Sequence, residues 1–248
     1  MRIAVMSDIH GNLAAFEKVL RDIDYSAIDH IVNLGDSIGY GPDPEKVLEL
    51  IIDRDILNIL GNHEQAALDK RFRLFFEKGA CKSIEQTLKY LTSASLSYLQ
   101  KLPEFRVFNK ALLVHGCPPN SCETYLNYLS NREIENIFKS YNNTIAFAGH
   151  THKLMLISYN GETVDFHELN HLPVKLAEKM RYIVNVGSVG QPRDGDPRAG
   201  YVVWDTALNS LEAKRIPYDI KLTADKIIQR GFQKKDADRL LDPLILIR

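Results

Sequence analysis

The sequence is poor in cysteine, has no long apolar run and carries almost no net charge. Its three cysteines, Cys81, Cys117 and Cys122, form no Cys-x-x-Cys pair, which disfavours a disulfide framework and indicates reduced thiols. No stretch approaches the ~20 apolar residues that a membrane-spanning helix requires. The apolar run at residues 3–6 is too short for the core of a signal peptide. These absences predict a cytoplasmic protein without a membrane partner.

A formal net charge of -1 gives the chain no overall basic field, which disfavours nucleic acid as a partner but leaves a local basic patch open. The hydrophobic content of 45% and charged content of 25% are typical of a globular protein. No internal repeat, low-complexity segment or flexible linker interrupts the sequence. We therefore predict a single domain over residues 1–248, with its oligomeric state left open.

The first third of the chain alternates strand and helix patterns. Short apolar runs predict three strands, at residues 3–6, 30–34 and 56–60. Apolar side chains at helical spacing follow the first two strands, and Asp43-Pro44-Glu45 is typical of a helix start with Asp43 as the N-cap. Two strand–helix–strand units predict a mainly parallel first sheet.

The remainder of the chain has a different pattern. Residues 64–102 contain no proline and predict a helical insertion or lid beside the site, and residues 219–248 predict a helical C-terminal tail. Asn109-Lys110 separates two apolar runs in the manner of a hairpin turn, and Ser130-x-x-Glu133 is typical of a capping box at the start of a helix. Further strands are predicted at residues 105–108, 111–114, 144–148, 154–159, 163–167, 182–186 and 201–204. Their short connections predict a second, more antiparallel sheet.

Polar side chains with nitrogen or oxygen donors follow five of the predicted strands. The segments are Asp8-Ile9-His10, Gly35-Asp36, Gly61-Asn62-His63-Glu64, His115-Gly116 and Gly149-His150-Thr151-His152. In extended backbone, residues two apart point to one side, so Asp8 and His10 are expected to reach one ion. His150 and His152 either repeat that geometry or are separated by a turn onto two ions. The Asp36 carboxylate has two oxygens, enough to bridge a metal pair.

The donor types predict which metals and which substrate suit this site. Without thiolate ligands the set suits Mn²⁺ first, with Fe, Zn²⁺, Ni²⁺ and Co²⁺ as alternatives. Two divalent ions outweigh the charges of Asp8 and Asp36 even with a bridging hydroxide, so the site favours an anion over a neutral amide. Metal pairs roughly 3.5–4 Å apart clamp an in-line displacement at phosphorus and lower the pKa of the attacking water. The residues therefore predict hydrolysis of a phosphate ester.

These segments resemble the calcineurin-like metallophosphoesterase superfamily, whose ordered pattern is D-x-H, G-D, G-N-H-[D/E], a later H and G-H-x-H. The resemblance runs from Asp8 to His152 and agrees in order, spacing and strand context. It implies an α+β (α/β-type) fold, a four-layer sandwich of two mixed β-sheets flanked by helices.

The resemblance also implies a role for each site residue. Asp8, His10 and His152 would hold one divalent ion, and Asn62, His115 and His150 a second, with Asp36 between them.

The same resemblance implies the catalytic and substrate-binding residues. His63 would lie next to the substrate phosphate and protonate or stabilise the leaving oxygen. Glu64 would orient His63 through a hydrogen bond. Asn12 would contact phosphate or brace its loop.

The sequence departs from the protein phosphatases of this superfamily. Those enzymes continue the second segment as G-D-x-x-D-R-G, whereas this chain continues Asp36 with Ser37-Ile38-Gly39-Tyr40-Gly41 and lacks the arginine. The loop at residues 39–44 and the segment at residues 185–193 resemble instead a small prokaryotic phosphodiesterase-like branch, part of which is described by similarity to dinucleoside tetraphosphatases. Arg193 is our candidate for the missing guanidinium beside the substrate.

The leading hypothesis is a metal-dependent phosphoesterase that hydrolyses a small phosphodiester or phosphoanhydride by attack of a metal-bridging hydroxide. Residues 64–102 and 117–130 are expected to shape the leaving-group pocket. The alternatives are a non-catalytic metal-binding scaffold for a protein partner, as in one retromer subunit of the superfamily, a dinucleoside tetraphosphatase, and a DNA exonuclease. The intact His63 speaks against the scaffold, and the near-neutral charge speaks against the exonuclease.

Overall fold

The computed structural model describes residues 1–242, without the side chain of Phe75, so the end of the predicted tail (243–248) lies outside the described residues. Residues 1–242 form twelve strands: β1 (Arg2–Met6), β2 (His30–Asn33), β3 (Leu57–Asn58), β4 (Phe105–Phe108), β5 (Ala111–Val114), β6 (Ile145–Ala148), β7 (Leu154–Tyr159), β8 (Val164–His167), β9 (Val174–Lys175), β10 (Arg181–Val186), β11 (Ala199–Asp205) and β12 (Ser210–Ile216). They form two six-stranded sheets in the orders β3-β2-β1-β11-β12-β9 and β4-β5-β6-β10-β7-β8.

Eight α-helices accompany the strands within the described residues. They are α1 (Leu13–Asp24), α2 (Pro44–Asp53), α3 (Asn62–Leu68), α4 (Lys78–Leu88), α5 (Ser93–Leu99), α6 (Asn131–Lys139), α7 (Ile220–Gln229) and α8 (Lys234–Leu241). Short 3₁₀ helices lie at Phe72–Phe75 and Leu126–Tyr128. No helix among residues 1–242 is both long enough and apolar enough to cross a membrane.

Both sheets are mixed, and one prediction about their composition was wrong. β1, β2 and β3 pair in parallel as expected, but β11 joins β1 in the same sheet as an antiparallel neighbour, and β12 in turn pairs antiparallel with β11. The strand predicted at residues 201–204 therefore belongs to the first sheet and not to the second. A run that is apolar on both faces is compatible with the centre of either sheet, so its sequence does not choose between them.

The four-layer sandwich is confirmed by where the side chains of β1 pack. Ile3 and Val5 lie between the two sheets, in a cluster that includes Phe147 of β6. Ala4 and Met6 point the other way and pack under the helices, in a cluster with Phe16 of α1. A strand buried on both faces reads as a continuous apolar run, which is what residues 3–6 show.

Several local predictions are confirmed in detail. Asn109 and Lys110 have φ of 46° and 68°, the left-handed pair of a two-residue hairpin turn between β4 and β5. Ser130 and Glu133 form a reciprocal capping box at the start of α6. Asp43 precedes α2 as predicted, but its side chain makes no capping hydrogen bond and is instead paired with cations of α7 and its C-terminal end.

Candidate active site

The predicted ligands meet at one edge of the sandwich. β1 and β2 are parallel in the first sheet, β5, β6 and β10 are parallel in the second, and the carboxyl ends of these strands point to the same side. Asp8 follows β1, Asp36 follows β2, His115 follows β5, and His150 and His152 follow β6. Residues beyond the carboxyl ends of parallel strands line a crevice in this kind of sheet.

The backbone at these positions is not extended, contrary to the geometry assumed for Asp8 and His10. Five of the predicted ligands have left-handed backbone: Asp8 (φ 55°), His10 (48°), Asp36 (52°), His150 (65°) and His152 (58°). This region is sparsely populated by residues other than glycine and costs of order 1–3 kcal/mol each. Tight turns, and not strand alternation, aim these side chains inward.

The first cluster contains Asp8, His10 and His152, whose ligand atoms all lie within 4.8 Å of one another. His152 Nε2 lies 3.2 Å and His10 Nε2 lies 3.6 Å from Asp8 Oδ1. All three side chains are buried. The structure thus brings together the set predicted for one ion.

The second cluster contains Asp36, His115 and His150 within the same limit. His115 Nε2 lies 3.4 Å from Asp36 Oδ2 and 2.9 Å from Asn62 Oδ1. The same Asp36 oxygen lies 3.6 Å from His10 Nε2 in the first cluster. Asp36 is therefore positioned between the two sets, and the turn after β6 separates His150 from His152, as one of the two alternatives for that pair predicted.

Each of the four imidazoles in these clusters has one ring nitrogen against a backbone carbonyl. Nδ1 of His10, His115 and His152 lies 2.6–3.0 Å from the oxygens of Ile38, Leu34 and Gln191 respectively, and His150 Nε2 lies 3.1 Å from the oxygen of Glu123. A carbonyl oxygen only accepts, so the facing nitrogen carries the proton and donates. In the neutral form of each ring the other nitrogen has a lone pair directed at the cluster, which is the arrangement found for metal-bound histidines.

The donor set fits divalent cations. Nε2 of His10 and Nε2 of His152 lie 3.1 Å apart. Both carry lone pairs, because Nδ1 of each ring holds the proton that faces a backbone carbonyl. Asp8 Oδ1 is buried beside them with no hydrogen-bond partner. Two lone pairs and a carboxylate oxygen facing one another repel unless a cation lies between them.

The pocket shifts the pKa values of its side chains in opposite directions. Burial lowers the pKa of His115, but the charge and hydrogen bond of Asp36, the charge of Asp8 and the Leu34 carbonyl together raise it to about 9. Burial alone would raise the pKa of Asp36, but the imidazoles of His115 and His63 hold it below its usual value. Burial, together with the charge of His115, lowers the pKa of His150 to about 3.

His63 lies against the two clusters and differs from the four ligand-like imidazoles. Its Nε2 lies 3.9 Å from Asp36 Oδ2, and its Nδ1 is buried without a hydrogen-bond partner. Gly39, with φ of 98°, makes room for this ring, because a Cβ there would lie 2.1 Å from His63 Nδ1. Burial holds the pKa of His63 well below its usual value.

The prediction that Glu64 orients His63 was wrong. The Glu64 carboxylate accepts from the backbone amides of Asp36, Ser37 and Gly61 at 2.7–2.9 Å, and from Ile38 at 3.3 Å. Its oxygens are thus occupied by the loop after β2 and the start of α3. Glu64 fixes the loop that carries Asp36, which a sequence pattern alone does not distinguish from a contact with the adjacent histidine.

Asn12 does not reach the cleft as a substrate ligand, and the bracing alternative describes it instead. Its Nδ2 donates to the oxygen of Gly190 at 2.8 Å, and its Oδ1 accepts from the amide of Ala15 at 3.2 Å. The side chain caps α1 and ties it to the loop after β10. Arg193, by contrast, lines the cleft as predicted, with Nη2 donating to Gln191 Oε1 at 2.8 Å.

A cleft of about 420 Å³ opens from the clusters to solvent. Phe76, Glu77 and Ala80 line one side, and Glu123, Tyr125 and Tyr128 line another, so the two segments expected to shape the pocket both do so. Sequence reasoning missed two further lining residues, Lys235 and Arg239 of α8, which stand in a charge-rich tail without any motif.

Comparisons with known proteins agree with this geometry. Residues 1–209 match the family model of the calcineurin-like phosphoesterase superfamily domain. An uncharacterized protein of Methanocaldococcus jannaschii is 35% identical over 241 residues, 96% of each chain. The crystal structure of a metallophosphoesterase from Sphaerobacter thermophilus superposes with a TM-score of 0.82 at 30% identity, covering 98% of this chain and 99% of that one.

A third relative matches over a shorter range. The symmetrical bis(5'-nucleosyl)-tetraphosphatase of Wigglesworthia glossinidia brevipalpis is 32% identical over 121 residues, 45% of this chain and 43% of that protein. The family model covers most of the sequence. The fold, the residues at the strand ends and a full-length structural relative agree with it, so the chain belongs to the calcineurin-like phosphoesterase superfamily.

Proposed function

We propose that this protein is a metal-dependent phosphoesterase that hydrolyses a small phosphodiester or phosphoanhydride. The observation that carries the proposal is the set of four imidazoles, each tied to a backbone carbonyl through one nitrogen and aimed at two buried carboxylates through the other. Asp8, His10 and His152 would hold one ion, Asn62, His115 and His150 the second, and Asp36 would bridge. Two divalent ions, Mn²⁺ foremost, would supply Lewis acidity and a water of lowered pKa.

The protein's own side chains would position the substrate and its leaving group. Arg193 lies at the cleft wall beside His152, where a guanidinium offers paired donors to a phosphate. His63 would donate a hydrogen bond or a proton from Nε2, the ring atom on the Asp36 side, to the leaving oxygen. Glu64 would act indirectly, by holding the loop of Asp36 in place.

Fewer observations support the alternative functions. The 32% identity with a bis(5'-nucleosyl)-tetraphosphatase over 121 residues favours a phosphoanhydride within the same chemistry. A metal-binding scaffold would have no use for His63 in its buried position beside Asp36. The three free cysteines support the proposed cytoplasmic location, because thiols stay reduced there.

The test is hydrolysis of bis(p-nitrophenyl) phosphate by protein stripped with chelator and reloaded with Mn²⁺. We expect turnover that requires the ion and that is lost in Asp36→Asn. P-nitrophenyl acetate serves as the control substrate, because a non-specific esterase would cleave it equally well. Metal-loaded protein that cleaves neither phosphodiesters nor phosphoanhydrides would contradict the proposed function.

A further inference from the structure

Three cations face the cleft without an acidic partner. Arg193 follows β10, while Lys235 and Arg239 stand four residues apart on α8 and so share one helix face. None of the three forms an ion pair within residues 1–242, whereas the neighbouring Lys234 is paired with Asp238 at 2.8 Å. The three are partly buried, which makes an unpaired positive charge costly to keep.

These cations lie one side chain away from the predicted ligands. The guanidinium carbons of Arg193 and Arg239 each lie 5.9 Å from the centre of the Tyr40 ring. That ring in turn lies 4.7 Å from the His10 ring and 4.6 Å from the His63 ring. Tyr40 therefore separates the clusters from a second, cationic zone of the same cleft.

The C-terminal helices are anchored firmly enough to hold this zone in place. Asp43, at the end of the loop that carries Tyr40, is buried and pairs with Lys226 at 2.7 Å and Arg230 at 3.2 Å. Gln233, just before α8, donates from Nε2 to the oxygen of Gly79 at 2.6 Å. Residues 226–233 are thus fixed both to the Tyr40 loop and to the start of α4.

The acidic groups nearby do not neutralise the cations. Glu77 and Glu123 also line the cleft, but both side chains are exposed and neither is paired with Arg193, Lys235 or Arg239. Asp236 is buried close enough to Arg239 and Lys235 for their charges to act on its carboxylate, but it forms no ion pair with either. One buried carboxylate thus offsets part of the charge of the cationic zone, and within residues 1–242 none lies at ion-pair distance from its three cations.

We propose that Arg193, Lys235 and Arg239 form a subsite for a second phosphoryl group, so that the physiological substrate carries at least two. The inference rests on the proposed phosphoesterase function and narrows its substrate class to compounds with two or more phosphoryl groups. The cleft of about 420 Å³ falls within the range of small-molecule sites. Arginine is well suited to this task because its planar fork binds phosphate in a bidentate manner.

Calorimetric titration of the Mn²⁺-loaded protein tests the subsite without relying on turnover. The probes are methylenediphosphonate, which is not hydrolysed, and methylphosphonate, which has a single anionic group. The variants are Lys235→Met/Arg239→Met, Arg239→Gln and, as the matched control on the same helix, Lys234→Met. Because a diphosphonate also chelates ions, the ratio of the two affinities in each variant, compared with that in the wild type, is the deciding quantity.

We expect the wild type to prefer the diphosphonate and the double variant to lose about 10- to 100-fold of that preference, as hydrogen bonds between charged groups imply. Arg239→Gln should lose part of it, and Lys234→Met none. The proposed subsite would be wrong if the wild type bound the two phosphonates equally well, or if the double variant kept the wild-type preference for the diphosphonate. Hydrolysis of bis(p-nitrophenyl) phosphate, measured on the same preparations, reports on the proposed function separately, because that substrate has only one phosphorus.

Discussion

Nε2 of His10 and Nε2 of His152 lie 3.1 Å apart although the two residues are 142 positions apart in the chain. Both rings donate Nδ1–H to backbone carbonyls, of Ile38 and Gln191, so both Nε2 atoms present lone pairs. The fold thus holds two acceptors within contact distance in a buried pocket. A cation bound between them would remove the repulsion.

Metal binding should stabilise the folded protein. An ion present at 100 times its Kd adds about 2.7 kcal/mol to the free energy of unfolding, because the unfolded chain has no assembled site. For a chain of this size the expected rise in Tm is roughly 5–10 °C. Differential scanning fluorimetry of chelator-treated protein, with and without Mn²⁺, measures it, with Mg²⁺ as a harder ion for comparison. An unchanged Tm with every divalent ion would contradict the site.

Asp36→Asn should empty or weaken both ion positions. The amide keeps one oxygen for the hydrogen bond from the His63 amide at 2.9 Å, so the local fold should survive, but the charge shared by the two clusters is lost. The metal content, measured by mass spectrometry, should fall from about two ions per chain to fewer than one. Asp53→Asn, at an exposed position, is the control. Full metal content in Asp36→Asn would show that the carboxylate does not bridge.

His63→Ala should lower kcat and spare metal content. A proton donor to the leaving oxygen contributes about 100- to 10,000-fold, and His63 belongs to neither of the two ligand sets proposed for the ions. The kinetics of bis(p-nitrophenyl) phosphate hydrolysis measure the effect, with the exposed His171→Ala as the control. Turnover within threefold of the wild type would remove His63 from the chemistry.

Glu64→Gln should lower the free energy of unfolding. Its carboxylate accepts four backbone N–H groups, and a glutamine amide replaces one acceptor with a donor, which leaves buried amides unpaired. We expect a loss of about 2–4 kcal/mol in the free energy of unfolding. Urea denaturation measures it, with the exposed Glu17→Gln as the control. A variant with full stability and lost turnover would restore the discarded role, in which Glu64 orients His63.

The ligand set could be predicted because each segment is a short local motif at the end of an apolar strand. Parallel pairing brings Asp8 and Asp36 to one edge of the first sheet and His115 and His150 to one edge of the second, and the packing of the two sheets joins these edges. The orientation of each side chain did not follow from strand alternation, because Asp8 and His10 lie in left-handed turns. Local patterns thus gave the membership of the site but not its backbone geometry.

Features that depend on tertiary packing could not be predicted from the sequence. β12 was not predicted, since Glu212, Lys214 and Arg215 give it weak strand character and its pairing with β11 and β9 stabilises it. The same holds for Lys235 and Arg239, whose helix reaches the cleft through contacts with distant residues such as Asp43 and Gly79. A charge-rich helical tail carries no local signal of the surface that it covers.

Anomalous X-ray diffraction from crystals of the Mn²⁺-loaded protein tests the central claim most directly. The account predicts two anomalous peaks in one pocket, the first among Asp8, His10 and His152 and the second among Asn62, His115 and His150, with Asp36 in contact with both. A single peak, a pair of peaks held by other residues, or no peak at saturating Mn²⁺ would contradict it.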